Sequence, residues 1–124
     1  MSWTGKKPRE VINIKTYEQG DIVLIDFGRP NPGHEQEGRR PALVVSNNYL
    51  NQTGLCCVVP ITNTCKPFPT RIALDSRTKT TGYILADQLR TMDLAKRQPA
   101  KKEVCPADIL QDVIDTISSI VEVK

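Results

Sequence analysis

The sequence lacks the motifs that mark several common classes of enzyme. It contains no Gly-x-Gly-x-x-Gly or Walker phosphate loop, and its predicted elements do not alternate between strand and helix, so a nucleotide-binding βαβ unit is not supported. The Gly-x-Ser-x-Gly elbow of serine hydrolases is also missing. No stretch approaches the ~18 apolar residues of a membrane span, and the first residues lack the apolar segment of a signal peptide. We therefore expect a cytoplasmic protein with no membrane partner.

Metal-binding residues are scarce as well. The chain has one histidine, His34, and four cysteines without a Cys-x-x-Cys pair: Cys56, Cys57, Cys65 and Cys105. A structural zinc site is built from several such side chains, so we expect no metal and no cofactor. Cys56 and Cys57 are neighbours in an apolar predicted strand, which should direct their side chains to opposite faces. We expect buried, reduced thiols, which disfavours a Cys–His nucleophile pair with His34.

What is present indicates one globular domain. The 124 residues are 39% hydrophobic and 25% charged, and a chain of this length can bury roughly two-thirds of its unfolded surface. The net charge of +3 permits a polyanionic partner without requiring one, because clustering of charge matters more than its sum. We expect a loosely ordered arm over residues 1–18 and a single domain over residues 19–124.

Short apolar segments bounded by glycine, proline or polar turns predict a mainly β domain. The predicted strands cover residues 21–27, 42–46, 55–62, 70–75 and 82–87, and residues 88–93 alternate again. Residues 47–54 allow one helical turn. Pro60 lacks an N–H group, which predicts a bulge or an edge position late in the third strand.

A C-terminal helix is predicted after Pro106, which suits a first turn, with Asp108 near the positive end of the helix. Apolar residues follow at i, i+3, i+4 and i+7 spacing, at Ile109, Leu110, Val113, Ile114, Ile117, Ile120 and Val121. This stripe indicates core or dimer-interface packing. The predicted fold is therefore five or six short, strongly curled strands closed by one C-terminal helix.

A candidate site is suggested by polar residues at strand ends. The charge-dense loop before the second strand holds His34, Glu35 and Arg40, and such a loop is either a solvated hairpin connection or a functional segment. If the second and third strands form an antiparallel pair, Arg40 and Thr62 share one rim of the sheet. A guanidinium and a hydroxyl together suit a phosphate group. The alternatives are a strand-end salt bridge for Arg40, a turn-forming role for Thr62 and a surface ion pair with a lysine for Asp87.

Three segments resemble the MazF/PemK family of toxin endoribonucleases. They are Gly20-Asp21-Ile22-Val23 with the segment from Gly33 to Val45, then Val59-Pro60-Ile61-Thr62, then the segment from Thr80 to Asp93. The resemblance covers roughly residues 20–122. It implies a small SH3-like (CcdB/PemK-like) curled β-barrel with a C-terminal helix, acting as a homodimer. It also implies metal-independent cleavage of single-stranded RNA to 2′,3′-cyclic phosphate and 5′-hydroxyl ends, and inhibition by an antitoxin whose acidic, disordered tail covers the RNA groove.

The resemblance also implies roles for individual residues. Arg40 and Thr62 match the pair at the scissile phosphate, Glu35 the base, and His34 and Asp87 acid–base positions proposed in the PemK branch. RNA binding is implied for Gln36, Arg39, Gln88 and Arg90. The chain departs from the PemK branch at Leu85, where that branch has an arginine two residues before the aspartate. The rival hypotheses are a CcdB-like gyrase poison, whose tryptophan-glycine-isoleucine tail is missing here, and an RNA-binding module without cleavage.

Overall fold

The computed structural model of the chain describes residues 16–28, 39–64 and 66–124. These residues form seven strands and three helices. The strands are β1 (Asp21–Asp26), β2 (Arg39–Val44), β3 (Leu55–Thr62), β4 (Arg71–Ala73), β5 (Tyr83–Leu85), β6 (Arg90–Asp93) and β7 (Ala100–Val104). The helices are α1 (Asn48–Asn51), α2 (Leu94–Arg97) and α3 (Ala107–Ile120).

The strands form one antiparallel sheet organised around β3, the longest strand. The order is β4-β5-β3-β2-β1-β7, and β6 pairs with β3 outside this path. Along the side of β3 that faces away from β2, residues 55–58 pair with β6 and residues 61–62 pair with β5. The mainly β fold with a C-terminal helix that the sequence predicted is confirmed. Among the described strands the hydrogen-bonded order is open, with β4 and β7 at its ends.

Alternating side chains give the sheet two apolar faces. The front face carries Val23, Ile25, Ala42, Val44, Cys56, Val58, Met92 and Leu94, together with Tyr17. The rear face carries Ile22, Leu43, Val45, Val59, Ile61, Ile84 and Ala86, and Cys105, Ile109 and Val113 complete its cluster. Cys56 belongs to the front cluster and Cys57 packs against the rear one, so the predicted opposite orientation of these neighbours is confirmed.

Helix α3 covers the rear face, which confirms core packing for the first part of the predicted apolar stripe, whereas Ile120 and Val121 at its end are 49% and 71% exposed. It begins after Pro106 and carries Asp108 in its first turn, and Ile109 and Val113 are its buried residues. Within the ranges described above, no helix has the length and apolar character needed to cross a bilayer. The predicted helical turn after the second strand is also present, as α1, where the Asn47 side chain caps the helix by accepting from the Tyr49 N–H.

The prediction that Pro60 marks a strand edge or bulge is wrong. Pro60 is buried in the central strand and lies opposite Ala42 of β2. Val45 donates to the carbonyl of Cys57, so every second residue of β3 from Cys57 bonds to β2, and the nitrogen of Pro60 points the other way. On that side of β3, residues up to Val58 pair with β6 and residues from Ile61 pair with β5, so Pro60 lies between the two paired segments. The missing N–H group therefore costs the sheet no hydrogen bond.

Other boundaries differ because backbone pairing outweighs side-chain pattern. The second strand starts at Arg39 and not at residue 42, since Arg39 and Arg40 pair with Asp26 and Ile25 of β1. The lysine- and arginine-rich residues 96–102, to which the sequence pattern assigned no element, belong in part to α2 and in part to the edge strand β7. Charged side chains are common on edge strands, where they discourage pairing with other chains.

Candidate active site

Arg40 and Thr62 lie at the same end of the sheet. The β2–β3 register runs from Val44 opposite Val58 to Ala42 opposite Pro60, and Arg40 and Thr62 lie two residues beyond that last pair, at the same end of the two strands. By strand alternation Arg40 shares the front face with Ala42, and Thr62 shares it with Val58. Arg40 is exposed and Thr62 is half-buried. The arrangement offers a guanidinium fork and a hydroxyl to one anionic group in front of the sheet.

The end of β3 is held in place by two local contacts. The Thr64 N–H donates to Thr62 Oγ1 at 3.2 Å, and the two hydroxyl oxygens are 3.0 Å apart. Gly82 packs against the Thr62 backbone with φ +115°, and a Cβ there would lie 2.4 Å from the Thr62 carbonyl oxygen. Only glycine allows this approach, which fixes the segment before β5 against the end of β3.

Arg90 lies on the same face as Arg40 but further along the sheet. It pairs with Val58, four residues before Thr62 on β3, which corresponds to roughly 13 Å along the strand. Its guanidinium carbon lies 5.2 Å from the centroid of the Phe27 ring, within cation–π range. The front face therefore presents a second arginine with an aromatic ring beneath it.

Asp87 forms an ion pair with Arg71, a residue that the sequence analysis did not select. Arg71 donates to the two Asp87 carboxylate oxygens at 3.4 and 3.2 Å, and its guanidinium carbon lies 5.5 Å from the Phe68 ring centroid. Arg71 on β4 stands opposite Leu85 on β5, so its guanidinium crosses from the neighbouring strand to reach Asp87. The partner of Asp87 is thus an arginine, and not the surface lysine considered above. Position 71 in an alternating strand was the only sequence signal for it.

Arg39 and Gln88 lie in other surroundings than the front face that carries Arg40. Arg39 lines a hollow of about 420 Å³ with Asp26, Arg97 and the segment 98–99. Arg97 donates to the carbonyl of Asp26 at 2.8 Å, which ties α2 to the end of β1. Gln88 is exposed in the turn after β5, where its N–H donates to the Leu85 carbonyl.

The remaining predicted site residues, His34, Glu35 and Gln36, lie outside the described residues, as does Cys65. Across the described ranges, no three of the side chains that commonly bind metals (histidine, cysteine, aspartate, glutamate) converge on one point. The structure thus places Arg40 and Thr62 at the same end of β2 and β3, leaves Arg90 further along the same face, and pairs Asp87 with Arg71.

Comparison with known proteins identifies the family. The family model of the PemK-like, MazF-like toxin of type II toxin–antitoxin systems matches residues 18–121. The endoribonuclease toxin MazF of Escherichia coli K12 is 37% identical over 95 residues, covering 76% of this chain and 84% of that protein. Escherichia coli endoribonuclease PemK is 36% identical over 122 residues, covering 94% and 91%.

Solved structures agree with this. Crystalline MazF (Form-I) from Deinococcus radiodurans superposes with a TM-score of 0.74 at 35% identity, covering 86% of this chain and 97% of that one. A chain of the MazE–MazF complex (Form-II) from the same organism gives a TM-score of 0.74 at 30% identity, covering 89% and 99%. With a family model matched along most of its length and relatives of this similarity, the chain belongs to the PemK-like, MazF-like toxin family of type II toxin–antitoxin systems.

Proposed function

We propose that this chain is an endoribonuclease toxin that cleaves single-stranded RNA, including mRNA, at short sequence motifs and without a metal ion. The observation that carries the proposal is that Arg40 and Thr62 lie at the same end of β2 and β3, each two residues beyond the Ala42–Pro60 pair and on the front face. A guanidinium and a hydroxyl in this arrangement can bind three oxygens of one phosphate. The names of the relatives, which are endoribonucleases, support the same activity.

The proposed reaction is an internal transesterification. A base removes the proton of the ribose 2′-OH, its oxygen bonds to the adjacent phosphorus, and the bond from phosphorus to the 5′-oxygen breaks. The departing oxygen takes a proton, leaving a 2′,3′-cyclic phosphate and a 5′-hydroxyl. Negative charge on the five-coordinate phosphorus is stabilised by Arg40, with Thr62 donating a hydrogen bond. Glu35 is assigned as the base, with His34 and Asp87 as further acid–base candidates.

The ion pair of Asp87 refines its proposed role. The carboxylate accepts two hydrogen bonds from Arg71, and the side chains of Arg71 and Asp87 are only 20% and 32% exposed. This two-bond contact makes Asp87 suited to holding the Arg71 guanidinium in place. We assign RNA binding to Gln36, Arg39, Gln88 and Arg90. The Arg90–Phe27 pair offers a cationic and aromatic surface on which a nucleobase of the RNA can stack.

The proposed assembly is a homodimer inhibited by a cognate antitoxin of the MazE/PemI type. Solved MazE–MazF complexes of the structural relatives support an antitoxin partner. An acidic, disordered antitoxin tail would compete with RNA for the front-face surface that carries Arg40 and Arg90.

The decisive experiment is digestion of a long single-stranded RNA by the purified protein in excess EDTA. We expect discrete fragments with cyclic-phosphate 3′ ends and 5′-hydroxyls. Arg40→Ala and Thr62→Val should each lower kcat/KM by roughly 10²–10³-fold, since each removes a group that acts on the developing charge. Thr62→Ser keeps the hydroxyl and is the matched control, with activity close to wild type. Intact RNA, or cleavage only after addition of a divalent metal, would refute the mechanism.

A further inference from the structure

A basic groove lies on the rear side of the sheet end that carries Arg40 and Thr62. It has a volume of about 280 Å³ and is lined by Leu24, Pro41, Asn63, Lys79, Thr80, Thr81 and Lys102. Pro41 and Asn63 are the chain neighbours of Arg40 and Thr62. The groove therefore begins one residue away from the proposed phosphate-binding pair, across the end of β2 and β3.

Lys102 reaches the groove through a β-bulge. In the pairing of β1 with β7, Ile22 stands opposite Glu103 and Val23 opposite Lys101, so the register skips Lys102. A bulge of this kind re-aims the side chain of the extra residue. Its neighbour Lys101 forms an ion pair with Asp21, with 3.2 Å between Nζ and Oδ1, whereas Lys102 has no such pair with a described carboxylate.

Lys79 is held beside Lys102 by a carboxylate clamp. Glu103 accepts from the N–H groups of Lys79 and Thr80 at 3.0 and 2.7 Å, and from Thr80 Oγ1 at 2.6 Å. Burial would raise the pKa of the Glu103 carboxyl, but the hydrogen bonds from Thr80 and Lys79 outweigh it and lower that pKa. The negative charge of Glu103 is thus satisfied mainly by the segment 79–80. The Lys79 ammonium also lowers the Glu103 pKa through its charge, but it forms no direct salt bridge with a carboxylate of the described ranges.

Asn63 adds an oriented amide to the two lysines. Thr81 Oγ1 donates to Asn63 Oδ1 at 3.1 Å, which leaves the Asn63 amide NH₂ group available to donate. Gly82 packs against the Thr62 backbone and keeps this segment next to the end of β3. The groove therefore combines two ammonium groups and an amide donor above a floor of Leu24 and Pro41.

We propose that this groove binds the RNA backbone at a phosphate adjacent to the one held by Arg40 and Thr62. The inference rests on the proposed function and adds Lys79, Lys102 and Asn63 to its substrate contacts, with Glu103 as a positioning residue. Ammonium groups and amide N–H donors bind phosphate oxygens without reading the base. Binding here would bend the strand around the end of the sheet and hold the scissile linkage against Arg40.

The test compares Lys79→Ala/Lys102→Ala with Lys96→Ala/Lys124→Ala, a matched control that removes two exposed lysines elsewhere. The substrate is an oligonucleotide containing one site mapped in the EDTA digest. We expect kcat/KM of the groove variant Lys79→Ala/Lys102→Ala to be about tenfold lower, or more, than that of the wild type. A plot of log kcat/KM against log salt should also be less steep for this variant, by about 0.7 for the loss of one phosphate contact. The control and Lys79→Arg/Lys102→Arg should keep the wild-type slope.

A chemical probe identifies the phosphate directly. A neutral methylphosphonate is placed at each linkage flanking the cleaved one, in turn. At one of them, the substitution should slow the wild-type protein and have no further effect on the groove variant. Equal slowing of the two proteins at every linkage, or a groove variant that behaves like the control, would overturn the inference while the proposed function stands.

If the wild-type protein cleaves no RNA, the proposed function fails and the groove is tested by binding alone. The probe is then a fluorescent 2′-O-methyl RNA, followed by anisotropy at several salt concentrations. Weaker binding and a lower salt slope in the groove variant support the backbone site, and binding equal to that of the control overturns it.

Discussion

Replacing Gly82 by alanine should damage both the stability and the activity of this protein. Gly82 has φ +115°, and an added Cβ would lie 2.4 Å from the Thr62 carbonyl oxygen and 2.8 Å from its carbon. Cβ contacts are essentially never shorter than 3.0 Å, so the two segments must separate by at least 0.6 Å (3.0 minus 2.4). Both closest atoms are backbone atoms of β3, which cannot rotate away as a side chain could.

The magnitude follows from a matched glycine. Gly20 also has positive φ, +97°, but its added Cβ would meet only Leu110 Cδ2 at 3.4 Å. Gly20→Ala should cost about 1 kcal/mol, because roughly 1–2 kcal/mol of backbone strain is partly offset by the lower entropy of the unfolded chain. Gly82→Ala adds an overpacking cost of about 1–3 kcal/mol, for a total of about 2–4 kcal/mol.

Thermal and urea denaturation followed by circular dichroism measure this difference. For a chain of this length, 1 kcal/mol corresponds to about 4 °C in Tm, so we expect losses of about 8–16 °C for Gly82→Ala and about 4 °C for Gly20→Ala. Displacement of Thr62 should also lower kcat/KM of the folded variant by roughly 10–100-fold, and Gly20→Ala should not. Equal stability losses in the two variants would refute the close-contact argument.

Two further predictions concern ionisable groups. Arg77 contacts Asp75 and Asp108 at 2.8 Å and holds the pKa of each carboxyl below its ordinary value. Because the folded pKa is depressed, this stabilisation is complete above the unfolded pKa of about 3.9 and is lost as the pH falls through the folded value. The stability difference between wild type and Arg77→Met should therefore shrink below about pH 4 in urea titrations, and a constant difference would contradict the ion-pair origin. Burial raises the pKa of the Cys56 and Cys105 thiols to about 11, so iodoacetamide at pH 8 should alkylate them roughly 100-fold more slowly in the folded than in the urea-unfolded protein, as measured by mass spectrometry. Modification of both thiols at the unfolded rate would show that they are not buried.

The core elements could be predicted from sequence because their signals are local. Strand β3 was predicted at its observed bounds, since an apolar run follows the turn residue Gly54. Helix α3 was predicted from its apolar period. Strand β7 was missed because three of its five residues are charged, and it forms through backbone bonds to β1 at the edge of the sheet.

The candidate site was only partly predictable. Arg40 and Thr62 could be paired in advance, because a short connection between two strands implies an antiparallel register. The Arg71–Asp87 pair could not, because it depends on the β4–β5 register and on a side chain that crosses between strands. The orientation of Lys102 could not be foreseen either, since a bulge is decided by how two distant strands match.

The sequence by itself determined the mainly β fold with its C-terminal helix, the family, and the placement of Arg40 and Thr62 at the same end of two neighbouring strands. These features follow from side-chain periodicity and from motifs spanning a few residues, which act over short distances along the chain. Only the tertiary structure decided which cations converge. Glu103 clamps Lys79 across 24 residues of sequence, and Gly82 brings that segment against Thr62. Such contacts depend on strand register and close backbone packing, which no local pattern of residues specifies.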